Sequence, residues 1–311
     1  MRTLTVGYRA QDLFEKTRHG KWRTAPWAAE EGVVCHTLDI YHRHAIEKTH
    51  HVKAVCSAHL PEGPWDLVKF KTGPKLMSGE LALDLLQEIH LLRPAAFELE
   101  FDGRERDRND LLSKIKDDPD RVRDFSARWS ASIPGGEKLE FTSFPGCFCH
   151  RRLDEGGLAL AETVAKSLAG RPGGAKLLDM GCGCGLVGLL LAKAVPGTRL
   201  VMVDSHARAV EAAGLNAKNL GIDAETILAD CGTPRRMDGT FDVFAGNPPY
   251  YSDYRIAEVF LETALRALKP GGECWTVCKN AAGLEPVQKR YFGEVETFKR
   301  RGYAVLKSVK G

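Results

Sequence analysis

An asparagine followed by two prolines and a tyrosine, Asn247-Pro248-Pro249-Tyr250, is the stretch of this chain best suited to hold a planar amino group. Two prolines stiffen a turn and remove backbone donors, which leaves carbonyls and the Asn247 side-chain oxygen as acceptors. An exocyclic amino group is a poor nucleophile because its lone pair is delocalised into a ring or amide. Two acceptors holding both its hydrogens turn that lone pair toward a methyl sulfonium, and Tyr250 offers a ring to stack on the planar group. The reaction is a direct displacement. It needs no cysteine nucleophile of the kind that carbon-directed pyrimidine methylation requires, and none stands in the motif. After an isolated strand an Asn-Pro-Pro turn is an ordinary loop; seventeen residues after Asp230, beside the residues described next, it reads as a site.

Those residues begin at 177–185, where Leu177-Leu178-Asp179-Met180 runs into Gly181-Cys182-Gly183-Cys184-Gly185. A strand that ends in such a turn lets backbone approach a ligand closely, with positive φ permitted. The spacing G-x-G-x-G, followed by Gly188, departs from the G-x-G-x-x-G dinucleotide fingerprint, so the turn alone is moderately specific. Its acidic neighbours narrow the reading. Asp204 closes the next strand, where a ribose diol is within reach, and Asp230 closes the third, where an adenine amino group needs an acceptor. Single acidic strand ends are commonly solvated caps, but three in register behind a glycine turn suit an adenosine cofactor.

The elements that must position these groups are short apolar runs at 176–180, 199–203, 225–229, 241–245 and 273–278. Helical patterns alternate with them, for example Ile256, Val259, Phe260, Thr263, Ala264 and Ala267, which Pro270-Gly271-Gly272 is expected to stop. Alternating strands and helices imply a parallel sheet covered on both faces, with ligands at the carboxyl ends of its strands. The first half reads as a worn copy. Trp65-Asp66-Leu67-Val68 with Gly73-Pro74 resembles Phe241-Asp242-Val243-Phe244 with Pro248-Pro249, Asp66 to Pro94 matches the spacing of Asp242 to Pro270, and 33–39 echoes 201–204. No glycine turn accompanies this copy. The expected fold class is therefore α/β, with two Rossmann-like domains, the N-terminal one degenerate and without a cofactor loop. The division is placed within 130–140, where Ile133-Pro134-Gly135-Gly136-Glu137 reads as a linker, giving domains 1–135 and 136–311.

Bulk properties exclude several classes. No apolar run approaches the roughly 20 residues of a membrane span. The start of the chain lacks the order of a secretory signal, so its nine cysteines are expected as thiols in the cytoplasm. A net charge of +3 does not by itself argue for nucleic acid, although Arg151-Arg152, Arg235-Arg236 and Lys299-Arg300-Arg301 are local basic clusters that permit RNA binding. Cys147-x-Cys149-His150 and Cys182-x-Cys184 lack the usual zinc spacing, and no metal is expected. His36, His42, His44, His50, His51 and His59 have no carboxylate or cysteine frame and are read as surface or helix-cap residues.

The glycine turn and the Asn247 motif, with Pro145-Gly146-Cys147-Phe148-Cys149 and Leu153-Asp154-Glu155-Gly156-Gly157 before them, resemble the methyltransferase small-domain family from about Phe144 to the C-terminus. Within it the resemblance is to RsmC- and RlmG-like ribosomal RNA guanine-N2 methyltransferases. The tail from Lys279-Asn280 through Tyr291-Phe292-Gly293 to Tyr303-Ala304-Val305-Leu306-Lys307 is similar to that family's last helix and antiparallel strand pair. The resemblance implies S-adenosyl-L-methionine as cofactor, held by Phe148, Asp179, Gly181, Gly183, Gly185, Asp204, Asp230, Cys231 and Asn247. It implies transfer at Asn247, Pro248, Pro249 and Tyr250. Ribosomal RNA or a ribosomal subunit is the implied partner, with a first domain that aids RNA binding or folding. Tyr250 departs from the phenylalanine more frequent in this subtype, which keeps protein glutamine amide and adenine amino methylation as alternatives. A non-catalytic RNA-binding scaffold is the third reading.

Overall fold

The computed structural model describes residues 1–17, 21–116, 123–170, 174–230, 232–249 and 254–311; Cys231 and Tyr250 lie outside the described residues. The chain divides into two units, Met1–Ser126 with His206–Arg208 and Ala127–Ser205 with Ala209–Gly311. The first contains β1 (Thr3–Val6), β2 (Phe14–Lys16), β3 (Trp22–Thr24), β4 (Val33–Thr37), α1 (Ile40–His50), β5 (Lys53–Cys56), β6 (Leu67–Thr72), α2 (Gly79–Leu92), β7 (Ala96–Phe101) and α3 (Glu105–Lys116). Five of these strands form a parallel sheet in the order β5-β4-β1-β6-β7. On one face Leu4, Val6, Val68 and Phe70 pack with Leu85 and Ile89 of α2. On the other, Cys35 and Ala54 pack with Ile46 of α1. The α2 periodicity expected from sequence is present, and Ser78 starts the helix by accepting from the Leu81 amide.

From residue 127 on, the elements are β8 (Ala127–Ala131), β9 (Leu139–Ser143), α4 (Glu155–Leu168), β10 (Lys176–Met180), α5 (Leu186–Ala194), β11 (Arg199–Asp204), α6 (Ala207–Asn219) and β12 (Ala224–Leu228). They continue through β13 (Phe241–Gly246), α7 (Arg255–Ala267), β14 (Leu268–Cys278), α8 (Ala281–Phe292), β15 (Glu296–Arg300) and β16 (Tyr303–Val309). The sheet order is β12-β11-β10-β13-β14-β16-β15, with the first five strands parallel and the last two antiparallel. Successive residues of a strand face opposite sides. Leu177, Met202, Val243 and Val277 accordingly join α4 and α5 in one layer, and Leu178, Val203, Phe244 and Cys278 join α7 in the other.

Both units therefore carry the same parallel order, third-second-first-fourth-fifth, and the second adds an antiparallel pair. The copies differ in how the first strand crosses to the second. β10 leads through the glycine turn into α5, whereas among the described residues β1 and β4 are joined by the β2–β3 hairpin and short 3-10 turns, with no α-helix between. A Cβ on Gly7, just after β1, would stand 2.2 Å from the Lys71 carbonyl oxygen, and one on Gly181, just after β10, 2.7 Å from the Phe260 ring; the opening in the second unit is at Gly183, where a Cβ would meet nothing within 4 Å. After its first strand the first unit runs Gly7-Tyr8-Arg9 where the second runs Gly181-Cys182-Gly183, so it lacks the open glycine position, which is the physical content of a degenerate copy without a cofactor loop.

Four details correct the sequence reading. The stretch 130–140 is no linker: Ile133 to Glu137 lie in the turn of the antiparallel β8–β9 hairpin inside the second unit, and the division falls earlier, at Ser126/Ala127. Pro270-Gly271-Gly272 is not a break between helix and strand, because α7 already ends at Ala267 and these residues lie in β14, which shifts register against β13 there. His36 and His50 are buried rather than on the surface. His36 has Nε2 2.9 Å from the Ser57 carbonyl, and His50 has Nδ1 2.8 Å from Thr24 Oγ1 and Nε2 2.7 Å from the Ala10 carbonyl. His51 does occupy a helix cap, in left-handed conformation after α1. Within the basic clusters, Arg300 and Arg301 both donate to the buried carboxylate of Glu162, and Arg301 also reaches Glu155, so this pair holds the β15–β16 turn on α4. Arg236 pairs with Glu225 at 3.3 Å. Among the described residues no helix is long and apolar enough to cross a membrane.

Candidate active site

A pocket in the second unit lies at the carboxyl ends of its first and fourth parallel strands. Trp129, Phe148, Cys149, Asp154, Asp179 and Asn247 line it together with the turn Gly181 to Cys184 and the start of α5. The turn is built by positive φ at Gly181 (67°), Gly183 (55°) and Gly185 (89°). Its amides are bonded inward: Gly181 and Cys182 donate to the Val203 carbonyl, Gly185 to that of Cys182, and Gly183 to Asp204 Oδ2 at 2.9 Å. Asp204 closes β11 and so reaches the pocket through the glycine turn rather than as a wall residue.

Asp179 is buried on the first strand and accepts from the Gly188 amide at 2.8 Å. Burial pushes its carboxyl up to about 7, against the lowering effect of that amide, and the charges of Asp204 and Asp154 push it further the same way. Asp154 caps α4, with Oδ1 accepting from the Gly156 amide, while its Oδ2 accepts from Asn247 Nδ2 at 2.9 Å. That bond sets the plane of the Asn247 amide, with its oxygen turned to the opposite side. Pro248 and Pro249 follow directly, the first buried and the second half-buried. Phe148 stands on the rim, 66% exposed, beside the left-handed residues Cys149 and Arg151.

Of the residues expected from sequence, Phe148, Asp179, Gly181, Gly183 and Asn247 come together on the pocket wall, and Gly185 forms the N-cap of α5. Asp230 stands two residues beyond β12 and is not on the wall. Sequence reasoning missed Trp129, the pairing of Asp154 with Asn247, and Asn216. Buried on α6, Asn216 exchanges two hydrogen bonds with the Thr142 backbone and donates to the Cys184 carbonyl, tying β9 to the glycine turn. An asparagine on the apolar side of a helical pattern was the available signal.

A doubly wound parallel sheet with a glycine turn after its first strand and carboxylates around the turn defines a Rossmann-type domain built for a nucleoside cofactor. The chain belongs to the methyltransferase small domain family, which matches residues 138–307. Two curated relatives are named ribosomal RNA small subunit methyltransferase C: one from Pseudomonas aeruginosa (strain UCBPP-PA14), 36% identical over 179 residues, and one from Haemophilus influenzae (strain PittGG), 29% identical over 178. The matches cover 56% of this chain and 51% and 52% of those proteins, so the chain spans about half the length of the curated relatives it matches. In fold it is similar to the T. thermophilus 16S rRNA N2 methyltransferase RsmC, solved in complex with AdoMet and guanosine. That likeness has a TM-score of 0.77 at 19% identity and covers 100% of this chain and 88% of that one.

The cofactor of this family is S-adenosylmethionine, and the pocket suits it. Gly183 leaves a cradle that any Cβ would fill, and the described wall carries two carboxylates and no lysine, arginine or histidine. Such a wall favours a ligand with cationic ammonium and sulfonium centres.

Proposed function

We propose that this chain transfers a methyl group from S-adenosylmethionine to an exocyclic amino group of RNA, guanine-N2 of ribosomal RNA, acting in the cytoplasm. The observation that carries this is the Asn247 amide, held by Asp154 at the pocket and followed by two prolines. When bound, S-adenosylmethionine would supply an electrophilic methyl on sulfonium: the amino nitrogen forms the N–C bond as the C–S bond breaks, S-adenosylhomocysteine leaves with the C–S electron pair, and the nitrogen gives up one proton to water. Asn247 and the carbonyls of the Pro-Pro turn accept the two amino hydrogens and orient the lone pair. Asp204 takes the ribose hydroxyls, Asp179 the ammonium, and Asp230 the adenine amino group. The names of the curated relatives support an RNA substrate, and the first unit, which lacks the glycine turn, serves RNA binding or folding. The test is transfer of labelled methyl to total RNA beside total protein, followed by nucleoside digestion. Label is expected in N2-methylguanosine. Label confined to protein would replace RNA by a glutamine amide, and N6-methyladenosine would move the target to adenine.

The raised Asp179 carboxyl gives a second check. Between its ordinary value of 3.8 and about 7 the folded chain holds a proton that the unfolded chain has released. The stability it contributes is complete below that window and is lost as the pH rises through it. An ammonium beside Asp179 favours the carboxylate, so cofactor binding below pH 7 expels the proton. Calorimetry in buffers of different ionisation enthalpy should show this release in the wild type and none in Asp179→Asn, whose stability should also vary less across the window. Identical wild-type enthalpies in both buffers would place the ammonium elsewhere.

A further inference from the structure

The cofactor carries an α-carboxylate as well as cationic centres, and the side chains described so far offer that anion no donor. The amides of Gly181, Cys182, Gly183 and Gly185 are bonded within the protein, the Asn247 amide group donates to Asp154, and no cationic side chain is on the described wall. One side-chain donor on this wall has no partner: the indole N–H of Trp129, buried and without a hydrogen-bond acceptor. A buried N–H without an acceptor is unfavourable, and its persistence beside a ligand pocket calls for one supplied by the ligand.

The ring is fixed rather than adaptable. Trp129 on β8 lies directly across from Phe141 on β9, and the two rings stack at 4.9 Å with 19° between their planes. β9 is in turn bonded through Asn216 to the Cys184 carbonyl of the glycine turn, so the indole is held in register with the cradle. We infer that the Trp129 indole N–H is the donor for the α-carboxylate of the cofactor's amino-acid moiety, an inference that rests on the cofactor reading above.

Calorimetry with two ligands tests it: S-adenosylmethionine and its decarboxylated analogue, each titrated into wild type, Trp129→Phe, and protein carrying 3-benzothienylalanine at 129, which keeps the shape and lacks the N–H. For both replacements the dissociation constant for S-adenosylmethionine should rise about tenfold, the loss of one hydrogen bond to a charged group, and that for the decarboxylated analogue should stay within twofold. The ligand-free benzothienyl protein should unfold at or above the wild-type temperature, since the group that has gone is an unsatisfied buried donor. Unchanged affinity for S-adenosylmethionine in the benzothienyl protein overturns the inference, as does equal weakening of both ligands, which would mark a packing role. Wild type that binds neither ligand overturns the cofactor reading with it, whereas failed transfer to RNA with intact binding bears only on the proposed substrate.

Discussion

Asn247→Ala should lower turnover by about 10² to 10³ while leaving the affinity for S-adenosylmethionine within a few-fold. The amide is preoriented: Nδ2 is bonded to Asp154, and Asp154 is itself fixed by capping α4. An acceptor held in this way meets the amino hydrogens without reorganising as they gain charge in the transition state, and removing one such contact costs about 2.7 to 4 kcal/mol of barrier. Fold stability should be nearly intact, because the residue is half-buried at the end of β13 and its loss leaves the Asp154 cap in place. Single-turnover methyl transfer with saturating cofactor separates chemistry from binding. Near-normal transfer in the alanine variant would remove Asn247 from the chemical step.

Asp204→Ala should act on the other side of the reaction, raising the cofactor dissociation constant roughly ten- to a hundredfold. Two losses combine. The carboxylate at the end of β11 is proposed to accept from the ribose hydroxyls, and hydrogen bonds to a charged group are worth about 1.5 to 3 kcal/mol. It also accepts from the Gly183 amide, so the variant leaves that turn without one of its anchors. Calorimetric titration reads the effect directly, and an unchanged constant would refute the assignment. Turnover at saturating cofactor should fall far less than for Asn247→Ala, which makes the pair of variants a way of telling cofactor binding from amino-group activation.

How much of this was legible in the sequence depended on the range of the interactions. β10 was readable to the residue because a strand buried on both faces is a short apolar run, and the glycine turn was readable because positive φ demands glycine at 181, 183 and 185. That these strands run parallel followed from their alternation with helices, whereas their order across the sheet did not. The β8–β9 hairpin was misread as a linker because Pro-Gly-Gly marks both a linker and a hairpin turn, and the flanking strands are only five residues each. Trp129, Asn216 and the pairing of Asp154 with Asn247 were not legible in the sequence. Their roles arise where β8, α4 and α6 meet the glycine turn, and no local pattern encodes a contact between residues far apart in the chain. His36 and His50 were misplaced for the same reason: carbonyls of Ser57 and Ala10, distant in sequence, make their burial favourable.

Among the described residues the first unit's sheet stops at β7, where the second continues into β16 and β15. A sheet that ends on a bare strand offers a row of backbone groups on which another chain can grow. β7 reads Ala-Phe-Glu-Leu-Glu-Phe, with Leu99 and Phe101 turned to the core and Glu98 and Glu100 exposed. Lysines of β6 hold these carboxylates in place, Lys69 at Glu98 and Lys71 at Glu100. A strand arriving from a second copy would set its own glutamates against them, and like charges across a strand pair are repulsive. The shorter copy thus sets charge along its outermost strand, which works against edge-to-edge pairing, where the longer one adds two further strands before its own edge at β15.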